Sequence, residues 1–474
     1  MKASTVFALA ASTIASTDAR NFQSGAGQPK VVSLPTQRKS IPNPVHRDRL
    51  RRRGSVEASL DNEETLYFVN GTIGTPAQSV RLHIDTGSSD LWLNTPDSAF
   101  CSQRSQPCAF AGTYTANDSS TYEYVGSWFN ISYVDGSGAS GDYVTDTVTI
   151  GETKLDSLQF GIGYESSSGQ GILGIGYPVN EVQVGRAGLD AYDNLPKKMV
   201  SDGLIARNAY SLWLNDLDAS TGSILFGGVD SEQYTGSLQT LPIEADSGVY
   251  SEFLITLTGL TLGGDTIASD QALAVLLDSG SSLTYLPDTM VESIYTAVNA
   301  QYDSSEGAAY VPCSLADNST TLDFTFTSPT ISVEMNELVL DLVTTTGQRP
   351  TFDNGVTACL FGISPAGSGT NVLGDTFLRS AYVVYDMDNN EISLAQTNFN
   401  ATKSSVQEIP TGSSVPDATA VENAVSATAG VSSSSGNGNA GLGDESSAAI
   451  PTAVSVPALS VLLSVGTAIL VTLI

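Results

Sequence analysis

The sequence predicts an all-β, bilobal fold with pseudo-twofold symmetry and an active-site cleft between the lobes. Three observations carry that expectation. Between residues 60 and 400, alternating apolar runs at 66–69, 80–84, 143–150, 223–226, 253–257 and 381–385 are separated by Gly, Asp and Asn turns. Helical patterns are few, over 288–302 and near 195–202. The chain also repeats itself: Asp85-Thr86-Gly87-Ser88-Ser89 recurs as Asp278-Ser279-Gly280-Ser281-Ser282, each copy after an apolar strand (80–84 and 274–277). Downstream of each, Ile172-Leu173-Gly174 recurs as Val372-Leu373-Gly374. Two half-length units, each with one Asp turn, imply two similar lobes.

Composition narrows the chemistry. A chain of 474 residues exceeds one compact core, and its 41% hydrophobic content suffices for a packed interior. Gly 44 and 15% charged residues point to β-structure with many turns. A formal charge of −30 would repel phosphate backbones, which excludes nucleic acid as a partner. The two histidines, His46 and His83, are too few for most zinc sites and for Ser-His or Cys-His catalysis. No metal or cofactor is expected, and carboxylates must do any acid–base work.

In chain order, residues 1–19 join Lys2 to an apolar run and then small residues, as in a secretory signal. Residues 20–53 form a basic propeptide with nine Lys/Arg against one acid, ending in Arg51-Arg52-Arg53, with cleavage expected after Arg53. Its net charge of +8 would bind the remaining body, net −38, and release it as carboxylates protonate; the alternative is a disordered leader with no inhibitory role. Residues 54–240 and 241–400 make the two lobes. Residues 401–439, rich in Ser, Thr, Ala and Gly, are expected to be a solvated stalk. Small residues around Asn439, a polar spacer and the uncharged apolar tail fit a GPI-attachment signal over 440–474, with Asn439 as the attachment residue; a membrane-spanning tail helix is the alternative. Cys101 pairs most simply with Cys108, and Cys313 with Cys359. Asn70, Asn117, Asn130, Asn318 and Asn400 head Asn-x-Ser/Thr triplets and are candidate N-glycosylation sites.

An Asp at the end of a buried strand, followed by Thr/Ser and Gly, sits on a tight turn whose hydroxyl and amide groups hold the carboxylate. Two such turns face to face bring carboxylates within hydrogen-bond reach, where both cannot ionise. One then serves as general base toward water and the other as general acid toward a carbonyl, which hydrolyses peptides without histidine or metal. Other readings are glycine loops without chemistry, a glycoside hydrolase with paired acids, and an inactive surface homologue. Neither of the last two accounts for two intact, duplicated Asp turns.

These duplicated turns, with Asp90-Leu91-Trp92, Gly171-Ile172-Leu173-Gly174-Ile175-Gly176, Ile224-Leu225-Phe226-Gly227-Gly228 and Val372-Leu373-Gly374-Asp375-Thr376-Phe377-Leu378-Arg379, resemble the pepsin-like aspartic proteases (family A1) over residues 65–397. With the basic propeptide, stalk and anchor signal, the chain is most similar to the yapsin-type GPI-anchored fungal enzymes. It lacks the acidic insertion after Cys101 that some of those have. The resemblance implies a pepsin-like acid protease fold and a secreted, surface-anchored endopeptidase. That enzyme would act on polypeptide substrates at acidic pH, as a monomer carrying a GPI lipid anchor at the plasma membrane, with retention in the cell wall or release as a secreted protein as the alternatives.

By position, the resemblance makes Asp85 and Asp278 the catalytic dyad, Thr86 and Ser279 the lock between turns, and Ser88 and Ser281 partners of the outer carboxylate oxygens. It makes Tyr133 the tyrosine of a closing flap and Trp92 its buttress through the indole N–H. His83 reads as structural, since the dyad needs no third titrating group. Asp135, two residues after Tyr133, shares its strand face and would favour Lys or Arg before the scissile bond, as related fungal enzymes do. A turn-capping role for Asp135 is the alternative.

Overall fold

The computed structural model describes residues 30–41, 64–133, 137–219, 221–304, 306–342, 349–412 and 414–431. The signal region 1–19, the Arg53 cleavage point, Asp135, Asn439 and the tail 440–474 lie outside the described residues.

The duplication seen in the sequence is a duplication of strand order and direction. In the first lobe the strand Gln78–Asp85 pairs antiparallel with Glu64–Ile73 and parallel with Gly171–Gly174. Gly171–Gly174 pairs antiparallel with Leu91–Asn94, which pairs parallel with Thr153–Ser166. In the second lobe Leu273–Leu277 pairs antiparallel with Leu254–Leu257 and parallel with Val372–Leu373. Val372–Leu373 pairs antiparallel with Thr284–Leu286, which pairs parallel with Ile363–Pro365. The sense of every pairing matches its counterpart, so the two Asp-bearing turns are built by the same local topology.

The second aspartate strand is a continuous apolar run because it is covered on both faces, whereas the first, Gln78–Asp85, alternates with exposed Ser79 and Arg81 and is wholly buried only from Leu82 on. Leu82, Ile84 and all five residues of Leu273–Leu277 are buried. One sheet of 14 strands runs from Ala418–Ala420 to Glu123–Ser132; it includes the first-lobe strands just described and carries Glu391–Thr397, Ala381–Asp386, Ala209–Trp213 and Thr221–Phe226 toward its Ala418–Ala420 end. The helix over 288–302 is shorter than its pattern suggested. It spans Asp288–Val298 and stops where Asn299 adopts a left-handed φ of 55°, after which Gln301–Asp303 forms a strand. The short helix near 195–202 is found at Leu195–Ser201. Both disulfides, Cys101–Cys108 and Cys313–Cys359, join the cysteines that the spacing paired.

Part of the basic leader is sheet. Val32–Ile41 lies between Thr221–Phe226 and Glu64–Ile73, antiparallel to both. Val31, Val32 and Leu34 are buried, and the Thr36 hydroxyl accepts the Gly222 amide at 3.1 Å. This segment is therefore held by ladder bonds and apolar burial in addition to any long-range charge attraction. Lys39 Nζ lies 3.3 Å over the Phe110 ring.

The stalk expectation fails for residues 401–431, which pack on the body as a strap. Ser404 Oγ and Ser405 N both donate to buried Asp230, each at 2.7 Å. Val406–Glu408 pairs antiparallel with Gly228–Asp230, and Ala418–Ala420 adds a parallel edge strand to Tyr234–Pro242. The strap then reaches the second lobe, where Ala429 bridges Leu273 and accepts the Ala274 amide at 2.8 Å. Small polar side chains hid this from a composition argument, because a sheet edge recruits backbone groups whatever the side chains are. Two apolar residues suffice to pin it: Ile409 and Val415 are 0% and 2% exposed.

Burying two such side chains stabilises the strap by about 1.5–3 kcal/mol each. A chain ending at residue 431 is expected to melt with the full-length protein, whereas one ending at residue 400 melts several degrees lower. In denaturant titrations Ile409→Ala should cost about 2–5 kcal/mol; no change would mean the strap is not docked in solution.

Candidate active site

The site forms where the two aspartate strands end, and hydroxyl groups hold it. In the first turn Asp85 Oδ1 accepts the Gly87 amide at 2.9 Å and Oδ2 accepts the Ser88 hydroxyl at 2.5 Å. The second turn copies this: Asp278 Oδ1 accepts the Gly280 amide at 2.7 Å and Oδ2 accepts the Ser281 hydroxyl at 2.6 Å. Both aspartates are buried, 3% and 8% exposed. A Cβ on Gly87 would stand 2.6 Å from Asp278 Oδ1, and one on Gly280 would press on Asp85 Oδ1 while standing 2.9 Å from Asp278 Oδ1. The inner oxygens thus face one another across glycines that leave no room for a side chain.

Thr86 and Ser279 cross between the lobes. Thr86 Oγ1 donates to Leu277 O at 2.9 Å and accepts the Ser279 amide at 2.9 Å. Ser279 Oγ donates to Ile84 O at 3.0 Å and accepts the Thr86 amide at 3.2 Å. All these bonds are buried, each worth about 1 kcal/mol net, and far more would be lost if one hydroxyl left its partners unpaired. The Leu-Gly repeats lie directly beneath. Gly174 N bonds Asp90 O at 3.1 Å, and a Cβ on Gly174 would stand 2.5 Å from the Asp90 amide nitrogen, so only glycine lets this strand run against the Asp loop.

Tyr133 is 7% exposed, and its hydroxyl accepts the Trp92 indole N–H at 2.6 Å. Its amide donates to Ser137 O at 2.8 Å, closing the hairpin turn between Glu123–Ser132 and Gly138–Ile150. Asp135, in that turn, lies outside the described residues. His83 is fully buried against Phe68, ring centroids 5.7 Å apart, as a packing residue. Asn70, Asn117, Asn130, Asn318 and Asn400 are all exposed.

A carboxylate cluster beneath the Tyr133 hairpin escaped the sequence reading. Asp90, 0% exposed, accepts Tyr143 Oη at 2.6 Å, Tyr192 Oη at 3.0 Å and the Val182 amide at 2.9 Å. Glu181, also 0% exposed, accepts the Tyr192 amide at 2.8 Å. The signal was available: after Ser89 the first repeat has Asp90, where the second has apolar Leu283. Burial raises the Asp90 carboxyl, while its three donors pull it down. Burial, and then the charge of Asp90, push Glu181 up to about 10.

Facing carboxylates on paired hydroxyl-bearing turns, under a tyrosine hairpin, define an aspartic-type hydrolase. The profile of the family described as Eukaryotic aspartyl protease matches residues 66–397, and the chain belongs to that family. It is an enzyme of the aspartic-type endopeptidase class. The chain is 59% identical over 406 residues to the Probable aspartic-type endopeptidase opsB of Aspergillus oryzae, covering 84% of this chain and 82% of that protein. It is 37% identical to an Acid protease of Saccharomycopsis fibuligera, covering 81% and 92% of the two chains. Among solved structures, the aspartic proteinase from Irpex lacteus matches with a TM-score of 0.59 at 24% identity, over 79% of this chain and 100% of that one, which shows the shared fold.

Because the folded protein holds the Glu181 proton well above the ordinary value of 4.5, its stabilising contribution is complete below that pH and is lost as pH rises toward 10. The melting temperature is therefore expected to fall from pH 4.5 through neutrality, by up to about 1.4 kcal/mol of stability per pH unit from this group. Glu181→Gln, which keeps an acceptor for the Tyr192 amide, should flatten the fall; an unchanged slope would remove this carboxyl from the account.

Proposed function

We propose that the protein is a secreted, surface-anchored endopeptidase that cleaves polypeptides at acidic pH through Asp85 and Asp278, preferring Lys or Arg before the scissile bond. The observation that carries the catalytic part is the pair of inner carboxylate oxygens facing each other, each turn wired identically by an amide and a hydroxyl. With one carboxyl protonated and the other ionised, the ionised group takes a proton from water as that water attacks the peptide carbonyl. The protonated group hydrogen-bonds the carbonyl oxygen as negative charge develops there. The proton gained by the base then passes to the leaving amine. The outer oxygens stay engaged by Ser88 and Ser281, so proton traffic runs between the inner ones. The Tyr133 hairpin, braced by Trp92, would close over the bound peptide and exclude water.

The preference for basic residues rests on Asp135 at two residues from Tyr133 and on the acidic body of net −38 once residues 1–53 are removed. The secretory and anchored parts rest on the leader, the five exposed Asn-x-Ser/Thr asparagines, the two disulfides and the apolar tail 454–474.

Hydrolysis of a denatured protein at acid pH should be blocked by a statine-type inhibitor. It should fall by about 10²–10⁴-fold or more in Asp85→Asn; persistent activity in that variant would refute the mechanism. Peptides differing only before the scissile bond are expected to turn over faster with Lys or Arg than with Leu or Phe, and equal rates would sink the preference. A phosphatidylinositol-specific phospholipase should release the enzyme from membranes, whereas retention would indicate a tail helix.

A further inference from the structure

The two lobes repeat one topology, so a position where they differ in chemistry identifies something the second lobe does alone. In the first lobe the ladder pairs Phe68 with His83, which carried two residues on sets Leu66 opposite Asp85. In the second, Leu254 pairs with Leu276 and Leu277 N donates to Phe253 O at 3.1 Å, which sets Glu252 opposite Asp278. Opposite residues of an antiparallel pair point to the same face, with Cβ atoms about 4.5–5.5 Å apart. Leu66 is fully buried, but Glu252 is only partly so. Opposite its catalytic aspartate, the second lobe therefore carries a carboxyl group where the first carries a buried leucine.

Among the described residues, the surroundings of Glu252 contain acids and no neutralising cation. Asp278 faces it from the paired strand and Asp246 from the preceding loop, and no Lys or Arg among the described residues offsets them. Glu244, on the same loop, is occupied by the Thr256 hydroxyl at 2.6 Å and the Ala427 amide at 3.0 Å. Asp246 accepts the Ser247 hydroxyl at 3.1 Å, and Tyr250 is exposed. Burial first, then the charges of Asp278 and Asp246, raise the Glu252 carboxyl to about 7.

We propose that Glu252 is a specificity-determining residue of the cleft, whose carboxylate takes a lysine or arginine side chain of the substrate beside Asp278, more strongly as pH rises. At low pH the group is neutral and offers a cation only a weak hydrogen bond. Nearer neutrality it ionises, and a bound ammonium or guanidinium group supplies the missing countercharge. A cationic substrate thus draws the proton off Glu252, so selectivity and protonation are linked. The inference rests on peptide cleavage by the dyad and is independent of the preference attributed to Asp135.

The test uses the mature enzyme and a peptide set in which Lys or norleucine occupies each position from four before to four after the scissile bond. The ratio of kcat/KM for Lys over norleucine, measured within one preparation, cancels differences in folded fraction. At one position this ratio should rise about tenfold between pH 4 and pH 6 in the wild type, within the limit of tenfold per pH unit for a single ionisation. Glu252→Gln should lose the rise at that position, and Glu252→Asp should restore part of it. Equal ratios and slopes in wild type and Glu252→Gln at every position would overturn the proposal. If Asp85→Asn remained active, the dyad reading would fail instead, which no outcome at Glu252 can imitate.

Discussion

The structure depends on two hydroxyl groups. Thr86 and Ser279 each span the lobe boundary with one donated and one accepted bond, and the backbone atoms they bind belong to the residues flanking the opposite aspartate. Each lobe's turn is thus fixed by the other lobe, and neither carboxylate is positioned by its own half alone. Once the turns are locked, the remaining bonds follow locally: amide and hydroxyl to each carboxylate, and a glycine strand beneath. Because these bonds lie in a dry interior, breaking one would strand several buried polar groups at once. A twofold arrangement allows one short motif to do this work twice.

Much of this was legible in the sequence because duplication is a strong signal. Two matched pentapeptides, two apolar-Gly partners and flanking apolar strands point to two similar lobes and to paired aspartates, while the hydroxyl lock is what the family resemblance implies. Trp92 bonding Tyr133 was also within reach, since both belong to motifs with family counterparts. Composition proved a poor guide where the backbone supplies the binding. Residues 401–431 read as stalk because they lack bulky side chains, yet they engage through edge pairing and bonds to buried Asp230. The end of the helix over 288–298 was missed for a related reason, since apolar periodicity continued past Asn299, whose backbone turned the chain instead.

The unrecognised carboxylates share one origin. Asp90 and Glu252 both occupy places where the other lobe has leucine, Leu283 and Leu66, so each marks a departure from the internal symmetry. Departures from a repeat carry information that a search for matches discards. Asp90 and Glu181 put two buried carboxyls, both with raised proton affinity, side by side under the Tyr133 hairpin. The net charge of the body has the same bias at long range, and the buried cluster expresses it at short range, where salt cannot screen it.

The strap gives the molecule a mechanical character. It leaves the central sheet at Asn400, runs beside Gly228–Asp230 and Tyr234–Pro242, and near the end of the described residues pairs through Ala429 with Leu273, on the strand that leads to Asp278. Tension applied beyond residue 431 would first load that bridge, next to the base of the catalytic strand, before reaching the parallel ladder at 418–420. An enzyme held by its C-terminus would thus feel a pull from its surroundings close to its own chemistry.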